Sequence, residues 1–256
     1  MIIRKLYDFE NAHIVRFCGS KRCRTAIHGH SYKCEVLLAS NFLDNAGMVY
    51  DFGYMKLGIR DIIDCFDHST TIFSDDSDEY KNDIKKHSAR WIEIPLNPSA
   101  EQFCRIFFVL IDRLLNLSEF NNGEKNVTLH SIIVHETATG YAQCFREDAY
   151  NAQMGEINLN EIKFSEAILD DLRDKKIFEK LIKGEKFVFE KDCSGAKMRY
   201  FLILLLAFFV AGCDKKEDEA LKIPPTKNEV PSDVPIAKSE PQTEVDKDLP
   251  PVPVTE

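Results

Sequence analysis

The sequence predicts an α+β fold in which an antiparallel sheet carries two helices on one face, in the order ββααββ. Three observations predict it. Residues 30–39 alternate around apolar Tyr32, Cys34, Val36 and Leu38, the period of a half-buried strand. Phe103, Ile106, Phe107, Leu110, Ile111, Leu114 and Leu115 recur at helical spacing, which lays one apolar stripe along three turns. Strand-like runs at 127–136 and 141–146 follow, so that helices separate two pairs of strands.

Taken in order, residues 2–17 are apolar and aromatic with few turn formers and supply the first strand; 30–39 supply the second. Asn45-Ala46-Gly47 is a turn signal. Over 54–66, Met55, Ile59, Ile62, Ile63 and Phe66 fall on one helical stripe. Residues 74–87 are charged and read as an exposed insertion. Asn97-Pro98 offers a cap and a first-turn proline for the second helix, and Asn122-Gly123 ends it. The runs at 127–136 and 141–146 form a closing hairpin, and 156–183 read as one or two further amphipathic helices.

Composition bounds the function. The 256 residues carry 33 Lys+Arg against 42 Asp+Glu, a net charge of −9, with 44% hydrophobic residues and eight Cys. That length suits one domain with an appendage. The cysteines are too few for a disulfide-stapled miniprotein, and the acidic balance argues against a protein that coats nucleic acid. Cys18, Cys34, Cys65, Cys104, Cys144 and Cys193 have no paired zinc-finger spacing and read as free, mostly core thiols of a reducing, cytoplasmic compartment.

The composition changes abruptly near Lys197: eight of the ten Pro follow Lys222, and no His lies beyond His135. Four segments are expected: a domain over 1–150, a helical extension over 151–197, an apolar segment over 198–213 and a Pro/Glu/Lys-rich disordered tail over 214–256. Residues 198–213 have the layout of a secretory signal, and Val210-Ala211-Gly212-Cys213 resembles the lipobox of bacterial lipoproteins. Such a signal works at an N-terminus, so Met198 is expected to begin a different protein joined by read-through, frame error or gene fusion. A membrane anchor is the alternative, but 200–212 is short of the roughly 17–25 residues of a spanning helix. A membrane is a partner only if 198–213 is functional.

The densest chemical signal is Cys23-Arg-Thr-Ala-Ile-His28-Gly-His30, preceded by His13. Residues two apart on a strand share a face, so His28 and His30 stand side by side. A third imidazole from a neighbouring strand completes three nitrogen ligands with one position open, the arrangement of a catalytic zinc. Gly29 would permit a bulge or a close backbone approach. Two other readings stay open: three unrelated histidines, or Cys23 as a fourth ligand closing an inert structural site. His130 shares strand parity with Glu136 but reads as a satisfied sheet histidine; His135 should face the other way, and His87 lies in the insertion.

Six matches in order carry a family resemblance: Phe9-Glu10-Asn11-Ala12-His13; Cys23 with His28-Gly29-His30-Ser31-Tyr32; Met48-Val49-Tyr50-Asp51-Phe52-Gly53; Phe66-Asp67-His68; Asn97-Pro98-Ser99-Ala100-Glu101; and Val134-His135-Glu136-Thr137. Together they resemble the 6-pyruvoyltetrahydropterin synthase / 6-carboxytetrahydropterin synthase family over about 140 residues. The resemblance implies the tunnelling fold, with ββααββ subunits assembled around a central barrel, usually as a homohexamer with sites between subunits. It also implies Zn2+ as cofactor, held by His13, His28 and His30, and a pterin triphosphate as substrate. Cys23 falls on the catalytic cysteine, Asp67 and His68 on the proton-shuttling pair, and Glu136 on the acid that anchors the pterin. Ser99 stands where the family usually has Thr and keeps the hydroxyl.

Elementary chemistry agrees with those roles. A Cys takes protons as thiolate, a form that the basic neighbours Lys21, Arg22 and Arg24 favour. A His oriented by a carboxylate is a general acid/base of fixed tautomer, and Glu136 can accept two parallel hydrogen bonds. Lys21, Arg22 and Arg24 either meet the triphosphate or form a solvated turn. Within the family, Cys23 and the bacterial-looking tail point to the members that make 6-carboxytetrahydropterin, release acetaldehyde and triphosphate, and feed queuosine synthesis. Relatives that eliminate triphosphate and keep the side chain are not separated from them by any residue here. A non-catalytic, zinc-stabilised oligomer is the reading from another class.

Overall fold

Alternating burial along two long strands organises the protein. In the computed structural model, which describes residues 1–189, the chain runs β1 (Ile2–His13), α1 (Lys21–Thr25), β2 (His28–Ala39), α2 (Gly58–Asp64), β3 (Ser69–Phe73), α3 (Asp78–His87), β4 (Trp91–Ile94) and α4 (Ala100–Leu117). It continues with β5 (Ser118–Glu119), β6 (Thr128–His135), β7 (Tyr141–Cys144), α5 (Arg146–Ala149), β8 (Lys163–Phe164), α6 (Glu166–Asp171), α7 (Ile177–Lys183) and β9 (Phe187–Val188). The predicted segments 198–213 and 214–256, and the end of the predicted extension, lie outside the described residues.

β1 and β2 pair antiparallel without interruption from Ile2↔Ala39 to His13↔His28. Odd residues of β1 and even residues of β2 turn inward, because Tyr7, Phe9, Tyr32, Cys34, Val36 and Leu38 must leave water. The seven-stranded sheet has the order β7-β6-β2-β1-β3-β4-β8, with α4 against β6 and β7, and α2 against α4 and β1. Phe9 stacks on Tyr32 with centroids 4.8 Å apart and meets Phe107 edge-on at 5.5 Å. This aromatic column fills the space between sheet and α4, each ring contributing about 1.5–3 kcal/mol by burial.

Four features differ from the sequence expectation. β3 and β4 extend the sheet parallel to β1 and to each other, beyond the simple ββααββ order. β3 escapes a period-two search because its inward Ser69 and Thr71 are polar; both hydrogen-bond the Asn11 side chain, at 2.9 and 3.0 Å. The helix expected over 54–66 divides into a 3-10 turn at Tyr54–Lys56 and α2. The 74–87 insertion contains α3, which buries no residue but is capped by Ser77, with Asp78 and Glu79 in its first turn and Lys85, Lys86 and His87 in its last. Finally, α4 is capped by the Ser99 hydroxyl, which accepts from the Gln102 amide, and Asn97 is used elsewhere.

Residues past the hairpin pack back onto the core. Ile168, Ile177 and Leu181 are buried. Arg105 of α4, 3% exposed, donates to the carbonyls of Asp148, Ala149, Asn151, Met154 and Gly155. A buried guanidinium is tolerated there because carbonyl dipoles replace its water.

Candidate metal centre and adjoining cleft

The unbroken β1–β2 register places His13 opposite His28 and Asn11 opposite His30, so all three imidazoles project from the inward face. Their ligand atoms lie within 4.8 Å of one another, and the ring centroids are 4.6 to 5.4 Å apart. Gly29 holds regular register with no bulge; a Cβ there would sit 3.1 Å from the Asn11 carbonyl oxygen, the close approach that favours glycine.

Backbone carbonyls orient two of the rings. His13 Nδ1 donates to the Pro98 carbonyl at 2.5 Å, and His28 Nδ1 to that of Ala26 at 3.0 Å. A carbonyl only accepts, so each Nδ1 carries the proton and each Nε2 keeps a lone pair for an ion. His13 is fully buried. Burial lowers its pKa from 6.5 to about 4, against the Pro98 hydrogen bond and with the help of His28 and His30, so it is neutral at pH 7. Three convergent imidazoles with an open side fit a Zn2+ ion well.

That depressed pKa has a stability consequence. Between pH 6.5 and about 4 the unfolded chain takes up a proton that folded His13 refuses, so stability is full above pH 6.5 and is lost as the pH falls. The urea midpoint of metal-free protein is expected to drop between pH 7 and pH 4.5, by up to about 3 kcal/mol in unfolding free energy. His13→Gln should flatten that drop; an equal drop in the variant would contradict it.

Beside the imidazoles lies a cleft of about 550 Å³ whose lining includes Cys23, His28, His30, Ser99 and Glu136. Glu136 Oε1 is 3.8 Å from His30 Nε2 and 3.9 Å from His13 Nε2, and it accepts from the Tyr32 hydroxyl at 3.3 Å. Tyr32 is 1% exposed and its pKa is raised, by burial first and then by the Glu136 carboxylate, so it stays a neutral donor. The Ser99 hydroxyl accepts at the α4 cap and keeps its O–H to donate into the cleft.

Asp67 and His68 are absent from the lining of the cleft that Cys23 and Glu136 share. Asp67 Oδ2 is 2.9 Å from His68 Nδ1, and its Oδ1 accepts from the Glu10 amide at 2.8 Å, which fixes the ring and leaves Nε2 available. His68 adopts a left-handed backbone, φ 50°, and its side chain is 75% exposed. It lines one hollow with Glu10, Gly29, His30 and Ser31 and another with Arg60 and Arg90 near the helices. Neither hollow includes Cys23 or Glu136.

Sequence reasoning passed over several contributors. Glu101 and Cys18 also line the cleft; in the sequence Glu101 stands only as the end of the Asn97–Glu101 match, and Cys18 only among the free thiols. Tyr32 shares the parity of His28 and His30, a signal that could have placed its hydroxyl. Asn97 clamps β1 to the start of α4, its amide accepting from Arg16 N at 2.9 Å and donating to Arg16 O at 2.5 Å. His130 is the extra residue at a bulge where Leu37↔Ser131 gives way to Leu38↔Leu129, so its parity argument fails; it packs on Phe145 and bonds Ser131. His135 bonds Glu35 at 2.8 Å on the outer face.

A family model described as PTPS, 6-pyruvoyl tetrahydropterin synthase, matches residues 2–147. A 6-carboxy-5,6,7,8-tetrahydropterin synthase of Helicobacter pylori is 37% identical over 190 residues, 74% of this chain and 95% of its own. One from Aquifex aeolicus is 32% identical over 120 residues, 46% of this chain and 72% of its own. Among solved structures, the 6-pyruvoyl tetrahydropterin synthase of Plasmodium vivax aligns with a TM-score of 0.43 at 20% identity, covering 57% of this chain and 98% of that one. The Helicobacter match is longer than the 2–147 span, so residues past the hairpin are shared with that relative.

Proposed function

The chain belongs to the 6-pyruvoyl tetrahydropterin synthase family, and we propose that it is a zinc-dependent lyase acting on 7,8-dihydroneopterin triphosphate. Its α+β architecture is that of the tunnelling fold. In this reading the product is 6-carboxy-5,6,7,8-tetrahydropterin, acetaldehyde and triphosphate leave, and the reaction serves queuosine synthesis. One observation carries it: three imidazoles converge, and two of them, His28 and His30, line one cleft with a thiol and a carboxylate. The curated relatives named for this product support the carboxy assignment.

When bound, the zinc supplies Lewis acidity that makes protons of the substrate's hydroxylated side chain easier to remove. The chain's own residues do the rest. His13, His28 and His30 hold the ion, the first two with their tautomers set by Pro98 and Ala26. Glu136 accepts paired hydrogen bonds from the pterin amino group and ring N–H, steadied by the Tyr32 hydroxyl. Cys23 is the base that takes up the proton. His68, its ring fixed by Asp67, exchanges protons at Nε2. Because His68 is exposed and absent from the cleft of its own chain, it serves the site of a neighbouring copy in a homo-oligomer, expected to be a hexamer.

Incubating the purified zinc-loaded protein with 7,8-dihydroneopterin triphosphate tests the reading. Acetaldehyde and triphosphate in equal amounts are expected. Triphosphate without acetaldehyde would instead indicate the 6-pyruvoyl product, and neither would overturn the assignment as a lyase.

A further inference from the structure

The loop that carries Cys23 has little to hold it in place. Residues 17–25 include none that is fully buried, and α1 has five residues. Segments without buried contacts open at small cost, yet a reacting group must be held to within fractions of an ångström. The loop's base is closed by the Val15 amide donating to the Cys23 carbonyl at 3.0 Å. Within the loop the Arg24 guanidinium donates to the Cys18 and Gly19 carbonyls, and a side-chain restraint from outside the loop comes from Arg16.

Arg16 Nε donates to Asp76 Oδ1 at 2.5 Å, and that carboxylate side chain is only 5% exposed. The guanidinium carbon lies 4.9 Å from the Tyr80 ring centroid, and one terminal nitrogen reaches the Arg24 carbonyl, next to Cys23, at 3.5 Å. The Arg16 main chain is meanwhile clamped on both sides by the Asn97 amide. One residue thus joins the end of β1, the cysteine loop, the start of α4 and the 74–87 insertion. Asp76 and Tyr80 belong to that insertion, whose helix α3 buries nothing of its own.

We propose that the 74–87 insertion is a brace for the cysteine loop, and that Arg16 is the positioning residue through which it sets Cys23 against the three imidazoles. This rests on the reading of Cys23 as the proton-accepting thiol. The partly buried Arg16–Asp76 pair suits the task because its planar, forked donor fixes direction as well as distance.

The test uses the full-length, zinc-loaded protein and the variants Arg16→Met, Asp76→Ala and Arg16→Lys. Turnover, KM, zinc content and the peptide-resolved rate of Cys23 alkylation by iodoacetamide are measured on each. The first two variants are expected to lower kcat roughly tenfold or more while KM and zinc content stay at wild-type values. Cys23 alkylation should rise severalfold as the loop loosens, and Arg16→Lys should fall in between. The double variant should be no worse than the poorer single, because both act through one contact. Unchanged kcat and alkylation in both singles would overturn the proposal. So would a joint fall of kcat, zinc content and thermal midpoint, which marks plain destabilisation. If the wild type turns over no pterin triphosphate, the lyase reading fails by itself, and the alkylation rates still decide the brace.

Discussion

Replacing Cys23 with Ala is expected to lower turnover of 7,8-dihydroneopterin triphosphate by about 10²- to 10⁴-fold, the usual worth of a positioned acid/base group. Zinc content should be unchanged, because the three imidazoles form a sufficient donor set without sulfur. Loss of zinc in Cys23→Ala would instead identify the thiol as a fourth ligand and the site as structural. The same variant tests the source of His68. Cys23→Ala and His68→Ala subunits, each inactive alone, should regain activity when mixed, with about one site in four intact by random assortment. No recovery in verified mixed oligomers would mean that both residues serve a site within one chain.

His30→Ala should empty the metal centre. Loss of an outer partner of a metal ligand costs roughly 10- to 100-fold in affinity, and loss of the ligand itself should exceed that. Zinc per chain and turnover should fall together, whereas far-ultraviolet circular dichroism stays native, because the replacement sits near the end of a twelve-residue strand whose core pairs remain. Stoichiometric zinc in His30→Ala would sink the three-histidine assignment. Chelation of the wild type should reproduce the loss of turnover and lower the thermal midpoint, since an ion that binds only the folded chain stabilises it.

What could be read beforehand was what lies along one element. The β1–β2 pair and its histidines follow from period two, and α4 follows from its seven-residue apolar stripe. Features that depend on a partner element were hidden. β3 presents Ser69 and Thr71 inward because Asn11 satisfies them, and no local pattern announces that. Asn97 looks like a helix cap in sequence, yet Ser99 takes the cap and Asn97 is free to grip Arg16. The bulge at His130 shifts strand parity by one residue, which no count along β6 anticipates. The Asp67–His68 pair was legible as chemistry, but its absence from the cleft that Cys23 lines follows from the packing of β3 beside β1, which no local pattern announces.

Arg105 limits how this protein can be shortened. Cutting the chain back to the 2–147 span shared with the family would strip the five main-chain acceptors at 148–155 from a cation that is 3% exposed. The stranded guanidinium would have to draw water into the helix layer or force α4 away from the sheet. A minimal version of the enzyme would therefore need a second edit, such as Arg105→Met, before it could fold. The boundary drawn by family likeness and the boundary of the folding unit fall at different places along this chain.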